Sequence, residues 1–140
     1  MTKQFESGVV MQGPTGYAFN RTRGAYLATH LSVADTHWSR LRGLMGADSA
    51  TFGDGCGLWI FPSHGVHTFV MRFPIDVAYL DKRKTIIYIA HNLRPWRMAP
   101  VNMKTSSVLE LPGNTLKTTG TTIGDEIEIT LGKVEEPEHA

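Results

Sequence analysis

The chain is 140 residues long and has a single cysteine, Cys56. One thiol excludes an intrachain disulfide and fits a reducing compartment, so the expected location is cytoplasmic. Charge of one sign is also scarce: 14 Lys and Arg stand against 13 Asp and Glu, a formal net charge of +1. That balance removes the bulk electrostatic case for nucleic acid or an anionic membrane as a partner. No apolar run approaches the ~20 residues that span a bilayer. Residues 1–6 lack the apolar core of an export signal. Internal repeats and low-complexity linkers are missing too, which predicts one mostly-β domain over residues 1–134 and a loose acidic tail over 135–140. Nothing matches a phosphate loop, a dinucleotide fingerprint or an RNA-reading aromatic ladder, so no cofactor is expected.

What is present centres on residues 67–81. Before Pro74, His67, Phe69 and Met71 share one face of a strand by the period-2 rule, and Thr68, Val70 and Arg72 share the other. After it, Ile75, Val77 and Tyr79 point one way and Asp76, Ala78 and Leu80 the other. Apolar residues on both faces predict a strand covered on both sides. Asp76 is then a carboxylate inside an apolar run, and a buried carboxylate must find donors. The bend at Arg72, Phe73 and Pro74 offers nearby amides and a guanidinium.

Short strands are expected over 9–12, 17–20, 27–33, 56–61, 85–90, 108–111 and 127–131, the last with one wet face. Residues 81–84 read as a polar hairpin turn, and 91–103 as irregular. Trp38, Leu41, Leu44 and Met45 form an apolar stripe at helical spacing, which predicts one main helix over 36–45 capped by Asp35 or Thr36. Asn114 is expected to cap a short helical turn over 115–119, closed by Gly120. Many short strands with one real helix argue for a compact mostly-β sandwich or jelly-roll-like barrel.

Four blocks carry a family resemblance: Arg42-Gly43-Leu44-Met45, Met71-Arg72-Phe73-Pro74-Ile75-Asp76, Leu109-Glu110-Leu111-Pro112-Gly113 and Ile123-Gly124-Asp125. In that order they resemble the family catalogued as domain of unknown function 192, over roughly residues 40–129. The chain departs from many members at Val70, where they carry Trp, and at Pro112-Gly113, where they insert Ala. The resemblance implies a compact jelly-roll-like β domain and implies no reaction.

Several chemistries compete for these residues. Cys56, His64 and His67 offer metal ligands, but His-x2-His is tighter than common zinc spacing and no fourth ligand stands near, so no metal is expected. Cys56 with His67 would make a thiolate pair, yet no helix N-terminus follows Cys56, which reads as a buried, inert thiol. Ser63 lacks a Gly-x-Ser-x-Gly elbow. Asp76 with Glu110 or His67 would suit a hydrolase. Both carboxylates are equally explained as buried acceptors of structural bonds. Trp96, with Arg97 and Met98 beside it, makes an apolar and cationic segment suited to recognition. The reading that follows is a non-catalytic domain with a small-molecule or peptide groove beside residues 67–76. His67, Met71, Arg72, Asp76 and Trp96 would be its ligand-binding residues, and the hydrolase is the competing class.

Overall fold

The computed structural model describes residues 15–34, 52–65, 73–95, 97 and 99–132. The expected strand over 9–12, the helix over 36–45, the strand over 67–72 and the tail over 135–140 lie outside the described residues. The described residues form seven strands: β1 (Thr15–Asn20), β2 (Ala25–Ala34), β3 (Cys56–Ile60), β4 (Ile75–Leu80), β5 (Ile86–Leu93), β6 (Ser107–Pro112) and β7 (Ile127–Leu131). A four-residue helix, α1 (Thr115–Thr118), follows β6. The protein is mostly β, as expected from its alternating runs.

The strands form one sheet in the order β5-β4-β6-β3-β2-β1-β7. All pairs are antiparallel except β2 with β3, and a parallel pair needs a long crossover between its strands. Residues 35–55 supply that length. The sheet curls until its two edges approach each other. Thr85 bridges Glu126, the Ile86 amide donates to the Asp125 carbonyl at 2.9 Å, and the Ile127 amide donates to the Lys84 carbonyl at 2.9 Å. The result is a half-barrel, so of the two architectures expected the rolled one is realised.

Curling gives the sheet an inner and an outer face, and β4 shows how the sequence assigns them. Ala78 and Leu80 join the inner cluster with Leu31, Leu109, Leu111 and Leu116. Ile75, Val77 and Tyr79 join the outer cluster with Leu58, Ile60 and Val108, over which Phe52, Phe73 and Ala99 pack. All six β4 residues are buried, so the expected strand covered on both sides is observed. The inner face also needs small residues. A Cβ on Gly57 would meet Ala28 Cβ at 2.8 Å and Leu111 Cδ2 at 3.1 Å.

The end of β5 differs from expectation. β5 does not stop at Ala90 but continues to Leu93. Its pairing with β4 shifts between Ile75 and Val77, so His91 and Asn92 together oppose Asp76. This is a β-bulge, and Asn92 takes its left-handed position with φ 48°. The hairpin at 81–84 forms as expected, with the Lys84 amide bonded to the Asp81 carbonyl and Lys84 at φ 64°.

Candidate functional site

Asp76 is fully buried on the inner face. Its Oδ1 accepts the Asn92 amide at 2.8 Å, and its Oδ2 accepts the Leu116 amide at 2.9 Å. One bond holds the β5 bulge and the other holds the first turn of α1. Asn114, the residue expected to cap α1, makes no side-chain cap bond. It sits at φ 74° and its Oδ1 accepts from Asn92 Nδ2 at 2.9 Å. Asp76 does the capping from another strand, satisfying an amide that a helix start leaves orphaned. The expectation that Asp76 would find backbone donors holds, and the two seen among the described residues come from β5 and α1. Each oxygen of Asp76 is thus engaged by one backbone amide of the fold.

Glu110 occupies the neighbouring strand and the opposite face. It pairs directly with Leu58 on β3 and Val77 on β4, and directly opposed residues point the same way. Asp76 pairs with Leu111 instead. The sheet thus separates the two carboxylates, and the Asp76–Glu110 pair that a hydrolase would need is not assembled. Glu110 is 4% exposed, and its Oε1 is buried with no hydrogen-bond partner among the described residues. Desolvation with no compensating donor raises its pKa from 4.5 to about 8. At neutral pH this side chain is a protonated carboxylic acid, able to donate one bond and accept another.

Asp125 shows a third arrangement. Burial acts to raise its pKa, but bonds from the Arg23 and Asn20 side chains and the Thr122 amide, with the Arg23 charge, outweigh it and leave the value below the ordinary one. Arg23 Nε stands 3.0 Å from Oδ2, and Asn20 Nδ2 donates to the same oxygen at 2.9 Å. The Thr122 amide reaches that oxygen at 3.0 Å, which makes Asp125 the turn carboxylate its sequence context suggests.

The remaining candidates are placed as follows. Cys56 is half-buried rather than sealed, because it opens β3 at the margin of the outer cluster. His64 lies beyond the other end of β3, with its Nδ1 bonded to the Thr105 carbonyl at 2.8 Å, so the strand separates it from Cys56. His67, Met71, Arg72 and Trp96 are outside the described residues. Sequence reading missed a surface cleft of about 590 Å³. It lies where the 61–64 loop, the 81–83 turn and residues 103–106 meet, and the cationic run Lys82-Arg83-Lys84 was its one sequence signal.

Comparison with known proteins agrees with this architecture. A crystal structure of a protein of unknown function from Novosphingobium aromaticivorans superposes with a TM-score of 0.71 at 19% identity, covering 91% of this chain and 99% of that one. A second crystal structure, from Sinorhizobium meliloti, gives 0.70 at 20% identity, covering 87% and 98%. Likeness at that identity speaks to fold alone. A UPF0127 protein of Thermococcus sibiricus is 29% identical over 114 residues, which are 78% of this chain and 71% of its own length. The model of DUF192, described as an uncharacterized ACR, matches residues 18–129, and the chain belongs to that family.

Proposed function

We propose that this is a non-catalytic small-molecule-binding domain that works in the cytoplasm. Its site is the outer face of β3, β6 and β4, and Glu110 is its polar anchor. The carrying observation is Glu110 Oε1, buried between Leu58 and Val77 and without a partner among the described residues. Native folds satisfy nearly all buried polar atoms, so an orphan invites a ligand group as its missing partner. A carboxyl protonated at neutral pH suits an uncharged ligand carrying a carbonyl, amide or hydroxyl on an apolar body. Residues 67–72 precede β4 in the sequence, separated from it by Phe73 and Pro74, and the outer β4 residues Ile75 and Val77 share the face with Glu110. This keeps His67, Met71 and Arg72 as candidate neighbours of the ligand.

The test is a thermal-shift screen of small amides, ketones and alcohols against the parent and Glu110→Leu at pH 7. Compounds that raise the parent's melting temperature are expected to leave the variant unmoved, while the variant itself is at least as stable as the parent. A variant that unfolds more readily than the parent would show Glu110 to be a structural group and would overturn the reading.

A further inference from the structure

We infer that the cleft at the 61–64, 81–83 and 103–106 end of the half-barrel binds a small anionic amphiphile, a molecule with one oxyanion head and a short apolar body. The inference is separate from the Glu110 site and rests on different residues. The cleft has a volume of about 590 Å³ and is lined by Phe61, Lys82, Arg83, Met103 and Lys104 among others. A volume of that size lies within the ordinary range for small-ligand pockets.

Charge sets the head group. Lys82, Arg83 and Lys104 are exposed, and none has an ion-pair partner among the described residues. The single carboxylate among the described residues of the lining is Asp81. It is turned to its own hairpin, with Oδ1 accepting the Arg83 amide at 2.9 Å and the Thr85 amide at 2.9 Å. Three cations against one occupied carboxylate leave a local positive excess in a chain whose overall charge is only +1. Such an excess inside a concave surface attracts an anion.

Exposure sets the body. Phe61 is 45% and Met103 74% exposed, among the few large apolar side chains the fold leaves in water. Both line this cleft, and Phe61 is held flat against Trp59 with ring centroids 5.3 Å apart at 12°. An inorganic anion would satisfy the cations and leave these two surfaces wet. An apolar molecule would do the reverse. A molecule with both parts satisfies both sets of side chains.

The walls are tied before any ligand arrives. The Ser63 amide donates to the Ser106 carbonyl at 3.0 Å, the Asn102 amide to the His64 carbonyl at 3.0 Å, and the Ser106 amide to the Leu80 carbonyl at 2.8 Å. His64 Nδ1 bonds the Thr105 carbonyl at 2.8 Å. A carbonyl only accepts, so Nδ1 carries the proton. Walls fixed in this way reduce the ordering that binding would otherwise cost.

The experiment is calorimetric titration of the full chain with decanoate below its micelle concentration, beside acetate and decyltrimethylammonium. Decanoate is expected to bind, acetate to bind far more weakly, and the cationic amphiphile not to bind. Charge reversal at Lys82, Arg83 and Lys104 together is expected to weaken decanoate roughly tenfold, as three exposed charges of modest individual worth would. These side chains are exposed, and an unchanged circular dichroism spectrum confirms that the variant folds. Raising NaCl from about 20 to about 500 mM on the unmodified protein gives an independent reading, because it screens exposed charges, and is expected to weaken binding in the same direction. Several results would each overturn the inference: no decanoate binding, equal affinity for decanoate and the cationic amphiphile, equal affinity for acetate, or decanoate affinity indifferent to both salt and charge reversal.

Discussion

Asp76 and Glu110 stand on adjacent strands of one sheet, exposed by only 0% and 4%, yet they are treated in opposite ways. The inner-face carboxylate has a backbone amide on each oxygen. The outer-face carboxyl has a buried oxygen with no donor among the described residues. Burial is nearly the same in both; what differs is the supply of donors. The inner face can supply them because a bulge and a helix start abut it, and both carry amides that no ladder uses. The outer face around Glu110 is regular strand whose amides are spent on neighbours. Asp76 is therefore a clamp, and Glu110 a group that the fold tolerates rather than uses.

The largest test of that contrast is Glu110→Leu followed against pH. In the unfolded chain the carboxyl ionises above 4.5, while in the fold it keeps its proton to about 8. Between those values the folded state binds more protons, so stability falls as pH rises and levels off above about 8. At about 1.4 kcal/mol for each tenfold change in proton affinity, the fall is roughly 3–5 kcal/mol. Urea unfolding at pH 5 and pH 8 is expected to show this fall in the parent and lose it in Glu110→Leu. The same fall in both proteins would place its origin elsewhere.

Asp76→Asn attacks the other side. The carboxamide keeps the shape but turns an NH2 toward one of the two amides, leaving donor against donor. The expected loss is on the order of 1–3 kcal/mol, read as a lower denaturant midpoint at unchanged slope. A variant with the parent's midpoint would mean that the bulge and α1 hold themselves.

The strand faces behind this contrast are legible in the sequence, while the partners are not, and the reason is physical. Alternation along 75–80 assigned every β4 side chain to the correct face, because period 2 is a property of the strand itself. It could not reveal that Asp76 faces away from Glu110, since that depends on the register of β4 with β6, which pairs Asp76 with Leu111. The donors to Asp76 lie 16 and 40 positions away, beyond any local pattern. The loop-like residues His91 and Asn92 predict that β5 ends at Ala90. They are loop-like, and the bulge accommodates them inside the strand. The Asn20 contribution to Asp125 escaped notice for the same reason as the Asp76 donors: it joins β1 to a turn 105 positions later.

Asp125 offers a third treatment to set beside the pair, a carboxylate with donors and a cation together. Its folded pKa is lowered, so its stabilisation is present above the unfolded value and is lost as pH falls through the folded one. Acid unfolding of Asp125→Asn is expected to be less pH-dependent below about pH 4, near the unfolded value for Asp, than that of the parent. An unchanged acid limb would remove Asp125 from the groups that titrate on unfolding.

The smallest effect expected is that of Arg23→Met, and it separates the two kinds of partner that Asp125 has. Arg23 is 44% exposed at its side chain, so water and salt screen its charge and an ion pair of this kind is worth at most about 1 kcal/mol. Deleting it still leaves Asp125 Oδ2 with the Asn20 Nδ2 and Thr122 amide bonds. Asn20 is itself fixed, because its Oδ1 accepts the Thr22 and Arg23 amides at 3.0 Å each, and those backbone bonds survive the substitution. The midpoint of urea unfolding is therefore expected to move by less than about 1 kcal/mol at low salt, and by less still at high salt. A loss comparable to that of Asp76→Asn would mean that the Arg23 charge, rather than the neutral donors, keeps Asp125 ionised. The rule drawn from Asp76 and Glu110, that neutral amides suffice to hold a buried carboxylate, would then not extend to this end of the barrel.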